Sequence, residues 1–168
     1  STTGSTQWSN AQPIVHHGKA RTVTLGHNGN LTNVEKLRNE LADEGTPLST
    51  TSDTEVIAAL IANDPAPLPD AIANAMRRLE GAFTIVALAE GKLVGFRDAH
   101  GFRPLNLGRI DGDPVLASET CALDLVGADH EREVAPGELV LIDEDGIQST
   151  QAVPQAGAGA LCLFEFIY

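Results

Sequence analysis

Residues 82–98 read AFTIVALAEGKLVGFRD, and this stretch decides the fold class. AFTIVALA and KLVGFRD are apolar runs rich in β-branched and aromatic residues, and Glu90-Gly91 between them is a hairpin signal. The chain before this stretch reads helical. Residues 31–41 place Leu31, Val34, Leu37 and Leu41 on one helical face, with Thr32 and Glu35 spaced as a capping box. SDTEVIAALIA, residues 52–62, opens a second helix with the same spacing from Ser52 to Glu55. NDPAPLP breaks the chain, and residues 70–79 form a third helical segment. After the hairpin, PLNLGRI and PVLASE flank the turn DGDP, CALDLVG is a short helix candidate, and GELVLID and IQST flank EDG. Helices followed by antiparallel hairpins predict a layered α+β domain, not a wound βαβ sheet. Upstream, residues 1–17 read as polar and irregular with Trp8 as their one large anchor, and residues 21–25 as a strand. VPQAGAGA reads as a small-residue linker into the apolar run LCLFEFIY.

The length of 168 residues suits one domain, and the 42% hydrophobic and 20% charged content is that of a globular chain. A formal net charge of −12 argues against nucleic acid and against an anionic membrane surface, both of which are bound through Lys and Arg. No apolar run reaches the roughly 20 residues of a membrane helix. Cys121 and Cys162 stand far apart with no CxxC, so a disulfide framework is not expected and a reducing cytoplasm is the expected compartment.

Four motifs are candidates for chemistry. GHNGN, residues 26–30, follows an apolar strand and precedes a helical pattern. Its Asn-Gly pair reads as a tight strand-to-helix turn. Asn28 and Gly29 also offer a side-chain amide and a backbone N–H, the donor pair an oxyanion hole needs. In SDTE, Asp53 sits in a first helical turn, where the dipole favours a carboxylate that could take a substrate ammonium; an ordinary helix cap is the plainer reading. RDAHGFRPLNLGR, residues 97–109, reads either as a loop shaping a site or as a salt-bridged connection between strands. His16, His17, His27, His100 and His130 lack metal-ligand spacing and read as polar loop histidines. No phosphate-binding glycine loop and no serine nucleophile elbow is present.

In this order, STTGSTQWSNAQP, LGHNGNLTN, SDTEVIAALI, LEGAFTIVAL, FRDAHGFRPLNLGR, ASETCALDLVGA, VAPGELVLID and CLFEFIY resemble the glutaminase domain of the amidophosphoribosyltransferase family, over nearly the whole chain. SDTE and the Asn-Gly pair also occur in other class II glutamine amidotransferases. STTG, the RDxxGxRPLxLG run and FEFIY point to this member. The resemblance implies an N-terminal-nucleophile hydrolase fold, a four-layer αββα sandwich, here expected to lack its first strands. It implies residues 1–160 as the glutaminase domain and 161–168 as the start of the connection to a phosphoribosyltransferase domain.

The implied activity opens purine synthesis. An N-terminal cysteine attacks the glutamine side-chain amide, with its own α-amino group as base. The released ammonia passes to the transferase domain, where it displaces pyrophosphate to give phosphoribosylamine. Carried over, Asn28 and Gly29 match the oxyanion hole, Asp53 the carboxylate that holds the glutamine α-amino group, and Thr2 and Thr3 positions lining the glutamine pocket. Residues 97–105 match a structural loop near the domain contact, with no catalytic role. The resemblance implies no cofactor within this chain, Mg2+ at the transferase domain, and in some members an iron–sulfur cluster ligated by the cysteine matching Cys162. It also implies a homo-oligomer. The nucleophilic cysteine and the arginine preceding Ser1 in the family pattern are not in the sequence, so these 168 residues are expected to be inactive by themselves. Two other readings remain: a glutamine-binding module without catalysis, and a hydrolase using Ser1 as an N-terminal nucleophile.

Overall fold

A computed structural model describes residues 7–157 of the chain. Ser1, Thr2, Thr3 and Cys162 lie outside the described residues. After a 3₁₀ turn at Trp8–Asn10 come β1 (Ile14–His17), β2 (Thr22–Leu31), α1 (Val34–Asp43), α2 (Asp53–Asn63), α3 (Leu68–Arg78), β3 (Gly81–Ala89) and β4 (Lys92–Arg97). They are followed by β5 (Asn106–Ile110), β6 (Asp113–Ala117), α4 (Thr120–Val126), β7 (Asp129–Glu133), β8 (Glu138–Asp143) and β9 (Gly146–Gln151). The strands form an antiparallel six-stranded sheet, β1-β2-β3-β4-β8-β9, and a three-stranded sheet, β6-β5-β7. The β3–β4 hairpin turns at Glu90 and Gly91, with φ of 53° and 74°. Two successive positive φ values match the right-handed twist of the flanking strands, and only glycine and short polar residues adopt them readily.

Alternation of side chains across each strand builds the layers. Val23, Leu25, Phe83, Ile85, Val94 and Phe96 turn one face of the large sheet to α1, α2 and α3, forming the main core. On the opposite face Val140 and Ile142 meet Leu105 and Leu107, which close the gap to the small sheet. Gly108 faces the other way, and Leu123 of α4 packs where its Cβ would stand. The order is therefore helices, sheet, sheet, helix, with the fourth layer reduced to α4. This is the αββα arrangement expected of the sequence.

Five local readings need correction. GHNGN is not a turn: β2 runs through it to Leu31, and Gly26 to Leu31 pair in unbroken register with Val86 to Gly81. The apolar partner strand overrides the turn propensity. Leu31 accordingly ends β2 and α1 starts at Val34. The Thr32–Glu35 capping box does not form; Asn33 stands at the helix start and spends its side chain on Arg78 O (2.8 Å) and Glu80 N (3.1 Å). Trp8 is 90% exposed and anchors nothing among the described residues, and residues 14–17 form a strand. β7, DHERE, was not expected as a strand, because it is polar on both faces and is held by backbone pairing to β5.

The buried carboxylates are each held by several donors. Glu138 accepts from Arg132 Nη2 at 2.7 Å, from Ala135 N at 2.6 Å and from Ser149 Oγ. Burial alone would raise its carboxyl, but Arg132, Ser149 and the Ala135 amide outweigh burial and hold it below the ordinary glutamate range. A carboxyl depressed in this way stabilises the fold above its unfolded pKa, and the contribution is lost as pH falls through the folded value. Glu138→Ala should therefore cost about 1–3 kcal/mol at neutral pH, and the difference from the parent should shrink below about pH 4, measured by denaturant unfolding. Glu40→Ala, which breaks a pair with Arg78 that is 39% exposed on both sides, should cost less than about 1 kcal/mol.

Candidate active site at the edge of strand β2

The site is built on the edge that β1 leaves open. β1 pairs with β2 only from Thr22 to Leu25. Gly18 N donates to Arg21 O and Thr32 N to Glu80 O, which fixes the phase of the ladder. Odd-numbered residues of β2 turn their backbone groups toward β1, and even-numbered ones toward β3. Beyond Leu25, then, the N–H groups of His27, Gly29 and Leu31 all point to the open edge. His27 N donates to Gln12 Oε1 at 2.6 Å, and Gln12 Nε2 returns a bond to His27 O at 3.0 Å, so one side-chain amide replaces the missing strand. Leu31 N donates to Asp53 Oδ2 at 3.2 Å. Gly29 N–H lies in the row between them.

Side chains divide at the same place. Gly26 and Asn28 turn to the inter-sheet side, opposite Val86 and Thr84 of β3. With Ser118 after β6 they line a cleft of about 260 Å³, to which Gln12 and His27 also contribute. Asn28 thus faces the cleft, and the Gly29 N–H follows on the adjoining edge. Gly29 has φ of 149°, and a Cβ there would stand 2.1 Å from Ala82 O and 2.9 Å from His27 Nε2. Only a glycine fits, which answers why the strand carries bare backbone here.

Asp53 approaches from the helix side. Ser52 Oγ caps α2 by accepting from Thr54 N at 3.2 Å, an N-cap bond to the second helical amide rather than the capping-box bond to Glu55 N. Glu55 supplies no return bond; its carboxylate accepts from Ser49 N at 2.8 Å and Thr50 N at 2.6 Å, holding the loop that leads into Asp53. Asp53 is fully buried, with Oδ1 3.4 Å from His27 Nδ1. Burial works to raise its carboxyl, and His27 together with the Leu31 and Thr54 amides more than offsets this and lowers it. Asp53 does not line the cleft that Asn28 faces; His27 lies between them.

The histidines were misread. His27 and His16 are buried strand residues facing Asp53 and Glu55 (3.4 and 3.5 Å), not loop residues. The alternation Val23, Leu25, His27 was the available signal, since it continues a buried face. Gln12 left no signal in the sequence. The Arg97–Asp98 segment follows the salt-bridged reading: Arg97 donates to Glu133 Oε1, Val134 O and Gly101 O, and Asp98 accepts from the amides of Phe83, His100 and Phe102. Cys121 is free and exposed on α4. Among the described residues no three His, Cys, Asp or Glu side chains gather as a metal site.

Residues 5–125 match the family model of the glutamine amidotransferase domain. The chain belongs to the glutamine amidotransferase family. Relatives include amidophosphoribosyltransferase 2 of Arabidopsis thaliana, 46% identical over all of this chain and 30% of its own length. The amidophosphoribosyltransferase of Mycobacterium tuberculosis is 43% identical, again over the whole chain and 33% of its own length. Among solved structures, the glutamine phosphoribosylpyrophosphate amidotransferase of B. subtilis, complexed with ADP and GMP, superposes with a TM-score of 0.88 at 36% identity. That match covers 98% of this chain and 36% of the other. The chain therefore spans about a third of the length of the relatives it matches.

The edge geometry makes a paired prediction. Gly29→Ala should lower stability by about 2 kcal/mol or more, a drop in Tm of about 4 °C or more, because neither backbone nor Ala82 O can yield cheaply. Gly26→Ala meets only Gln12 Oε1 at 3.6 Å and should leave Tm within about 2 °C. Equal losses in the two variants would contradict the geometry.

Proposed function

We propose that the chain is the glutaminase part of an amidophosphoribosyltransferase. The observation that carries this reading is the Asn28 side chain facing a cleft beside the outward Gly29 N–H. Two donors set side by side on a rigid strand are what a developing oxyanion requires. Placement on a strand, rather than a loop, fixes them before substrate arrives. In the proposed reaction a cysteine thiolate adds to the glutamine amide carbon. The carbonyl oxygen, now negative, rests on Asn28 Nδ2 and Gly29 N–H. The nucleophile's own amine, which took the thiol proton, passes it to the amide nitrogen, and collapse then expels neutral ammonia and leaves a thioester. Water then releases glutamate. The family pattern sets the nucleophile ahead of the STTG motif; Cys121 does not line the cleft.

Asp53 is the proposed partner of the glutamine α-ammonium, and Thr2 and Thr3 are proposed to line the same pocket. Ammonia is proposed to pass to a phosphoribosyltransferase domain that uses Mg2+ and makes phosphoribosylamine, the entry to purines. A homo-oligomeric enzyme, a cytoplasmic compartment and, in members with a cluster, a ligand role for Cys162 belong to the same proposal. Among the described residues no helix is long and apolar enough to cross a membrane.

In the polypeptide as its source makes it, Asn28→Ala should lower glutamine turnover by roughly 10²–10³, as loss of one oxyanion donor does. A change below tenfold would remove Asn28 from the role. Asp53→Asn should raise KM for glutamine and leave synthesis from free ammonia intact; equal loss of both activities would mean a folding defect instead.

A further inference from the structure

The glutaminase reading leaves one buried group unexplained. The His27 side chain is fully buried, and neither ring nitrogen has a hydrogen-bond partner among the described residues. The ring spans the site: Nδ1 lies 3.4 Å from Asp53 Oδ1, and Nε2 lies 2.9 Å from the point where a Gly29 Cβ would stand. A buried polar ring without partners is costly, and a buried carboxylate needs a countercharge. Of the ionisable groups around β2, the others are already engaged. Glu55 of α2 faces His16 of β1 and the Ser49 and Thr50 amides. Asp98, after β4, is held by the Phe83, His100 and Phe102 amides. Opposite His27 on β3 stands Ile85. Within ion-pair distance, then, Asp53 has His27.

We propose that His27 is a positioning residue that holds the Asp53 carboxylate in place and yields its contact when the α-ammonium of glutamine arrives. This rests on the reading of Asp53 as the ammonium partner. One carboxylate in a dry site supports one positive charge, either an imidazolium or the ligand ammonium, since two cations side by side repel. Ligand binding therefore favours neutral His27 and expels its proton. By linkage, release of one proton makes the KM for glutamine rise as pH falls, by no more than tenfold per pH unit.

Calorimetric titration of the full polypeptide with L-glutamate, which carries the same α-ammonium, tests this in buffers of different ionisation enthalpy from pH 5.5 to 8. The expected result is a proton released per ligand on the acid side, fading as pH rises, and lost in His27→Asn. Where His27→Asn does not fold, the parent's proton release decides. No release at any pH, or release unchanged in His27→Asn, overturns the proposal. Asp53→Asn separates the two readings. If it weakens L-glutamate binding while the parent releases no proton, the His27 role falls and the ammonium site stands. If it binds as the parent does, the ammonium site falls and the His27 role with it.

Discussion

The site depends on one constraint: an open strand edge must find partners for its backbone N–H groups. β1 stops pairing with β2 at Leu25, six residues before β2 ends. An unpaired buried N–H costs about as much as a lost hydrogen bond, so each such group is matched or reserved. Gln12 takes His27, and Asp53 takes Leu31. Both are side chains brought in from other parts of the chain, one from the segment before β1 and one from the first turn of α2. The donor between them, on Gly29, belongs to the only part of the row where a side chain cannot stand.

The same alternation that builds the core sorts the site into two compartments. Asn28 faces the space between the sheets, while His27 and Asp53 lie on the helix side with Val23 and Leu25. The proposed oxyanion donors and the proposed ammonium partner thus sit on opposite faces of one strand and meet at its edge. The rigidity comes from packing. α2 is buried along nearly its whole length, and its lead-in loop is clamped by Glu55 and by Arg38, which donates to Thr50 O and Ser52 O. A carboxylate on such a helix keeps its place against the strand.

Much of this was legible in the sequence. The hairpin at Glu90-Gly91, the order of helices before hairpins and the Ser52 cap rest on local chemistry that tertiary structure did not alter. The motifs naming Asn28, Gly29 and Asp53 are contiguous, so a family pattern can carry them. What failed were readings in which a local preference met a long-range partner. GHNGN has the composition of a turn, but pairing with the apolar β3 keeps it extended. DHERE has the composition of a loop, but backbone bonds to β5 do not depend on side chains. The pairing of His27 with Asp53, and of Gln12 with His27, joins residues 26 and 15 positions apart, and no spacing rule reaches that far.

The proposed role of Asn28 and Gly29 is to receive together the developing negative charge on the substrate oxygen. The most direct measurement is a crystal structure of the full polypeptide carrying a glutamine analogue trapped as a tetrahedral adduct. The adduct oxygen is expected in the cleft beside Thr84, 2.7–3.1 Å from both Asn28 Nδ2 and Gly29 N. An oxygen beyond hydrogen-bond reach of either donor, or an adduct seated on another face of the domain, would contradict it.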